Sequence, residues 1–219
     1  MATCSKIVIS IVISRIRDTY ENLISNSQFG FRSNRSTTDA IFILQNAIKI
    51  SPNPLFICFI DLKAAYDWIN RDMLFKVLDI RIKSPILVNL LKIFYTGISA
   101  AIKGSKAFFQ TFTGCRQGGL ESHVLFNIYM DFVLRCAEHE VLQIFPNTGL
   151  ECPYRIPGHC STREQRSVHG LSGTQRLRMI LYADDIAVLS NDIDELAEIL
   201  NIYDKTFTRF GLKIATDKI

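Results

Sequence analysis

Leu181-Tyr182-Ala183-Asp184-Asp185-Ile186 is the stretch on which the fold turns. Two adjacent carboxylates separate two apolar runs, Met179-Ile180-Leu181 before them and Ile186-Ala187-Val188-Leu189 after. Short aliphatic runs broken by a polar tip predict a buried β-hairpin. Neighbouring acids at such a tip repel each other unless something positive sits there. A hard divalent cation such as Mg²⁺, which takes carboxylate oxygens, meets that need. An ordinary acidic turn competes with this, because Asp is common in turns.

A second acid upstream shifts the balance. Leu55-Phe56-Ile57-Cys58-Phe59-Ile60 is an uninterrupted apolar run and predicts a strand buried on both faces, with Asp61 at its end. A strand ending in one Asp beside a hairpin carrying two gives a three-carboxylate cluster. Such a cluster suits two Mg²⁺ ions at the spacing phosphoryl transfer uses. A helix cap or turn role for Asp61 is the alternative.

Three further segments carry unusual composition. Gln28-Phe29-Gly30-Phe31-Arg32-Ser33-Asn34-Arg35-Ser36-Thr37 joins glycine, aromatics and two arginines. Gly114-Cys115-Arg116-Gln117-Gly118-Gly119-Leu120-Glu121-Ser122, followed by Leu125-Phe126-Asn127, is glycine-rich and then apolar. Phe210-Gly211-Leu212-Lys213-Ile214 with Lys218 lies near the end. With Phe59-Ile60-Asp61 to Ala65-Tyr66-Asp67 and Tyr182-Ala183-Asp184-Asp185, these segments in this order resemble the fingers motif and motifs A to D of reverse transcriptases. The resemblance is strongest to the non-LTR, LINE-like retrotransposons.

That resemblance implies an α+β fold, the right-hand palm with an antiparallel sheet packed on helices. It implies partial fingers over about 1–54 and a palm over about 55–219, with a loop insertion at about 145–175 and no thumb. The implied reaction is RNA-directed DNA synthesis, adding a dNTP to a DNA primer on an RNA template. Asp61 and Asp184 become the main ligands of two Mg²⁺ ions, with Mn²⁺ as a substitute. Asp185 is the third acid, and the Leu62 backbone carbonyl an added ligand. Tyr66 falls where an aromatic ring excludes a 2′ hydroxyl, although a plain core role stays open. Gln117 and Gly118 would meet the incoming nucleotide, because glycines let a base pair lie on the backbone. Arg32 and Arg35 would contact phosphates, or else be ordinary surface arginines. Lys218 matches a lysine able to protonate pyrophosphate.

The sequence also departs from the family pattern. His123 follows Ser122 where proline is usual, Ala215 replaces a common Asn, and Ile219 follows Lys218 in place of Ser or Thr. The family's leading fingers segment and its thumb lie outside these 219 residues. The expectation is therefore a truncated chain that extends primers poorly alone. The alternative is an inactive remnant that at most binds nucleic acid. A viral RNA polymerase is more distant, given Tyr66 and Ala183.

Composition sets wider bounds. The chain is 48% hydrophobic and 21% charged, which describes a globular protein. A net charge of +4 allows a nucleic-acid groove without requiring one. Six cysteines are scattered, and Cys58 and Cys115 read as buried thiols rather than a disulfide framework. Cys152, His159, Cys160 and His169 fit no common zinc spacing, and a solvated loop is the preferred reading of that segment. No signal peptide is apparent, and the run Ile7 to Ile13 is too short to span a bilayer. An intracellular protein of nucleus or cytoplasm, off the membrane, is expected. The oligomeric state is left open.

The remaining elements follow from local signals. Residues 5–23 predict a helix, with a strand competing because of the β-branched run. Ser36-Thr37-Thr38-Asp39 offers a capping box to a helix ending near Ile50. Ser84-Pro85 starts another, ending near Gly97. Residues 98–113 predict a hairpin around Gly104-Ser105. Residues 122–142 predict a long helix. A helix capped by Asn191 or Asp192 precedes a short strand at 212–214.

Overall fold

A computed structural model describes residues 3–101, 108–116, 118–152 and 175–215. In chain order the elements are α1 (Thr3–Leu23), α2 (Thr37–Ile50), β1 (Phe56–Ile60), α3 (Ala65–Trp68), α4 (Arg71–Arg81), α5 (Pro85–Tyr95), β2 (Ser99–Ala101) and β3 (Phe108–Gln110). They continue as α6 (Ser122–Ile144), β4 (Leu150–Cys152), β5 (Gln175–Leu177), β6 (Met179–Tyr182), β7 (Asp185–Ser190) and α7 (Ile193–Arg209). Helices and antiparallel strands mix along the chain, so the class is α+β.

The residues fall into two compact units. One comprises Ser25–Asp61 and Ala137–Tyr203; the other comprises Met1–Ile24, Leu62–Cys136 and Asp204–Ile219. In the Ser25–Asp61 unit, β7 is the centre of an antiparallel sheet ordered β1-β7-β6. The expected hairpin is present: Tyr182 pairs with Asp185, leaving Ala183 and Asp184 as a two-residue turn. Helix α2 begins with the capping box seen in the sequence. The Ser36 hydroxyl accepts from the Asp39 amide at 3.2 Å, and the Asp39 carboxylate accepts from the Ser36 amide at 2.8 Å. Its Ala40, Ile43 and Ala47 pack with Ile180, Ala187 and Leu189 of the sheet in one apolar core.

Three expectations need correction in this unit. Strand β1 is not buried on both faces, since Phe59 is 69% exposed. Whether a strand's faces are buried depends on what is layered over them, and the described residues leave Phe59 largely uncovered. Cys58, in the same strand, is accordingly only half-buried. The ends of the 145–175 segment are not loop: β4 pairs with β5, and Leu150 and Leu177 are buried against α2 and the sheet. Three-residue strands are too short for periodicity to reveal. His159, Cys160 and His169 lie outside the described residues, while Cys152 is a buried free thiol at the end of β4.

The Leu62–Cys136 unit is built on helices. The first half of α6 is buried nearly all round, with Val124, Leu125, Phe126, Ile128, Tyr129, Met130 and Val133 enclosed together with the polar Asn127 and Asp131. A helix of that kind forms the middle of a core. The C-terminal end of α1 is held there by arginines. Arg81 and Arg135 each donate to the Leu23 carbonyl at 3.0 Å, and both engage the buried Asp131 carboxylate. Strands β2 and β3 pair antiparallel as expected; their Gly104-Ser105 tip lies outside the described residues. Helices α3 and α4 had no clear signal, although the Asn70 side chain caps α4 by accepting from the Met73 amide at 3.1 Å. The expected strand at 212–214 is reduced to one bridge, Leu62 with Ile214. Ser84 precedes α5 without a side-chain capping bond, leaving Pro85 as the start signal.

Candidate active site

Strand register decides where the acids fall. β1 and β7 pair from Phe56 with Ser190 to Ile60 with Ile186. One step further in that register sets Asp61 against Asp185, and Asp184 precedes it in the turn. Paired positions on antiparallel strands carry Cβ atoms about 4.5–5.5 Å apart. Asp61 and Asp184 are half-buried and Asp185 is exposed. The donors are hard oxygens, as Mg²⁺ requires. Among the described residues, no three His, Cys, Asp or Glu side chains gather closely enough to hold an ion. The strand ends are adjacent, but the carboxylates are not drawn into a cage. Like charges on neighbouring strand ends favour rotamers that separate them.

The turn itself is strained. Ala183 has φ +59°, and Asp184 is not among the residues with positive φ. A positive φ at the first turn position alone suits a two-residue hairpin of the II′ kind, which normally takes glycine there. The strained alanine persists because the Gln28 segment surrounds it. Gln28 bridges in parallel to Leu181, and its side-chain oxygen accepts from the Ala183 amide at 3.1 Å.

Arg32 and Arg35 hold the same segment in shape. Arg32 donates to the Ser25 carbonyl at 2.7 Å. Arg35 donates to the Gln28 carbonyl at 3.0 Å and to the Asn26 side chain at 2.8 Å, with its guanidinium 5.1 Å from the Phe29 ring centre. Both arginines therefore have a backbone-bracing role that the sequence did not suggest.

In the Leu62–Cys136 unit, Tyr66 stacks on Phe126, ring centres 4.2 Å apart and 12° from parallel. The glycine-rich segment is fixed to α3 and α4. The Cys115 amide donates to the Tyr66 carbonyl and the Gly114 amide to the Ile69 carbonyl, both at 2.8 Å. A Cβ on Gly114 would come within 2.9 Å of the Asp67 backbone, and its φ is +81°. Arg71 completes the joint by donating from Nε to the Gly114 carbonyl at 2.9 Å. Gly118 has φ +76°, and a Cβ there would meet nothing within 4 Å among the described residues, so its surroundings are open. Gly119 differs, because Glu121 and Ser122 fill the space a side chain would need. Leu62 is buried, and the ladder bond beside it joins the Lys63 amide to the Lys213 carbonyl at 2.8 Å, leaving the Leu62 carbonyl out of that bond. Gln117 and Lys218 lie outside the described residues.

Burial explains the protonation behaviour of this segment. The Cys115 thiol is pushed up to about 12 by desolvation, with a Tyr95 hydrogen bond opposing. Tyr95 is raised as well, mainly by its own burial. Sequence reasoning passed over Arg71, Arg116 and Glu121. Arg116 donates from Nε and Nη2 to Glu121 Oε1 at 3.0 and 2.8 Å, and Glu121 has no exposed surface. The only trace in the sequence was an opposite-charge pair bracketing two glycines.

An acid-bearing hairpin beside an acid-ended strand, joined to mixed helices and antiparallel strands, defines a nucleic-acid polymerase palm. The sequence profile described as "Reverse transcriptase (RNA-dependent DNA polymerase)" matches residues 1–219, and the chain belongs to that family. Solved structures agree in fold. Telomerase of Candida albicans, in complex with a TWJ fragment of telomeric RNA, superposes with a TM-score of 0.58 at 16% identity over 96% of this chain and 33% of that one. Apo telomerase of Candida tropicalis truncated from its C-terminal domain gives 0.62 at 15% identity, over 96% of this chain and 39% of that one. A further apo telomerase structure of Candida tropicalis gives 0.61 at 12% identity, over 96% and 35%. This chain thus spans about a third of the length of the telomerases it matches.

Proposed function

We propose that this chain supplies the catalytic palm of an RNA-directed DNA polymerase of the non-LTR retrotransposon kind. The observation that carries it is the β1-β7-β6 register, which sets Asp61 beside the Asp184-Asp185 turn. Asp61 and Asp184 would hold two Mg²⁺ ions, with Asp185 and the Leu62 carbonyl assisting; Mn²⁺ would replace them. When bound, the metals lower the pKa of the primer hydroxyl and offset charge on the departing pyrophosphate.

Among the other residues, Tyr66 excludes a 2′ hydroxyl, its ring steadied by Phe126. Gly118 offers bare backbone to the nucleotide and Gln117 contacts it. Arg32 and Arg35 brace the Gln28 segment and bring two positive charges to it for phosphate oxygens. Lys218 donates a proton to pyrophosphate. The substrates are an RNA template, a DNA primer and dNTPs. No described helix is long and apolar enough to cross a membrane. We place the protein inside the cell, in the nucleus or cytoplasm.

Primer extension on poly(rA)/oligo(dT) with Mg²⁺ or Mn²⁺ tests the proposal. Incorporation should vanish in Asp184→Asn and in Asp61→Asn. Incorporation that survives both substitutions would overturn it.

A further inference from the structure

Gln28 is 3% exposed, and both ends of its carboxamide are committed to the turn that carries Asp184. Its Oε1 accepts from the Ala183 amide at 3.1 Å and from the Gly30 amide at 2.9 Å. Its Nε2 donates to the Ala183 carbonyl at 3.3 Å. A single side chain therefore binds both the N–H and the C=O of the residue held at φ +59°. Backbone bonds flank this contact: the Phe29 amide donates to the Leu181 carbonyl at 2.8 Å, and the Leu181 amide to the Ser27 carbonyl at 2.9 Å. Gly30 makes the approach possible, because a Cβ there would lie 2.3 Å from the Ala183 nitrogen. Only a carboxamide provides a donor and an acceptor with this reach and no charge. A carboxylate in its place would face the Ala183 carbonyl with like polarity and add charge beside the acids.

The Ala183 carbonyl belongs to the peptide that leads into Asp184. Fixing that peptide plane fixes the Asp184 Cα, and the Tyr182–Asp185 pairing across the turn limits the rotation left to its Cα–Cβ bond. We propose that Gln28, seated by Gly30, is a positioning residue that presets the Asp184-Asp185 turn for capture of a divalent cation; this rests on the metal reading of Asp184. It touches neither substrate nor ion and acts through the Ala183 peptide. Partners of this outer kind typically change metal affinity by about 10–100-fold when removed.

The test uses the full 219-residue chain and Mn²⁺ alone, with binding followed by electron paramagnetic resonance and the fold followed by thermal melting without metal. Gln28→Met keeps length and volume but removes the donor and the acceptor. It should weaken Mn²⁺ binding about 10–100-fold, and exchange of the Ala183 amide in the metal-free chain should speed up. Asp184→Asn is measured in parallel. Loss of binding in Asp184→Asn with unchanged binding in Gln28→Met overturns the positioning role while leaving the metal site standing. Wild-type binding in Asp184→Asn overturns the metal reading, and this proposal with it. If Gln28→Met does not fold, Gly30→Ala decides: it retains the carboxamide but forces the turn away. Wild-type Mn²⁺ affinity in a folded Gly30→Ala chain would equally overturn the proposal.

Discussion

Glu121 carries a carboxylate with no exposed surface, and Arg116 is its ion-pair partner at 2.8 Å. A buried charge is tolerated only while its partner remains, so removing one side costs more than removing both. Arg116→Met is expected to lower stability by about 3–5 kcal/mol, read from urea unfolding. The double change Arg116→Met with Glu121→Leu should recover most of that loss. His123 sits two positions on, its pKa held below the ordinary 6.5 first by burial and then by the positive charge of Arg17, with Glu121 opposing. The unfolded chain thus binds a proton more readily than the folded one. Stability from this residue is complete above the unfolded value and is lost as pH falls below it toward the folded value. Urea midpoints at pH 7.5 and 5.5 should show a smaller drop in His123→Gln than in the wild type. An equal drop would mean that His123 does not contribute. The acids Asp61, Asp184 and Asp185 were legible from sequence because each interrupts or ends an apolar run. Glu121 was not, because an acid after two glycines reads as surface, and only three-dimensional packing encloses it. Gln28 was visible as part of a motif, but its bond to Ala183 spans more than 150 residues and leaves no local trace.

Among the elements, those with chemical start signals were the ones the sequence placed well. Helix α2 follows its capping box, and α7 follows Asp192, whose Oδ1 accepts from the Asp194 amide at 2.8 Å and the Glu195 amide at 3.0 Å. Ser36→Ala removes one half of the α2 box and should cost about 0.5–2 kcal/mol, measured as a shift in thermal midpoint. No shift would mean that Asp39 alone suffices as a cap. Long or strongly apolar elements were also placed, as with α1, α6 and the β6–β7 hairpin, whereas others were missed or misjudged. Helix α4 was passed over although Asn70 caps it and Leu74, Val77 and Leu78 stand at helical spacing on its buried face. β4 and β5 are three residues each and depend on pairing with each other. β1 was found but taken as buried on both faces, because hydrophobicity reports that a strand is apolar and not what is layered over each face. Its exposed Phe59 is the visible result of that difference.

At the scale of the whole molecule, each unit is assembled from separated stretches of chain. The sheet that carries the acids joins Phe56 to Ser190, so β1 leaves the ribosome long before its partner has been made. At ordinary synthesis rates of about 5–20 residues per second, that interval is roughly 7–27 s. During it an apolar strand with Phe59 waits without a ladder, in the state most open to intermolecular pairing. Slower translation lengthens the wait, while crowding by sibling chains makes it hazardous. Weak promoters and co-expressed holdase chaperones should therefore raise soluble yield more than optimised codons do. A Phe59→Lys substitution should raise it without any chaperone, by placing a gatekeeper charge on the waiting strand. Nascent-chain aggregation in this protein would then be governed by the order in which its strands are born.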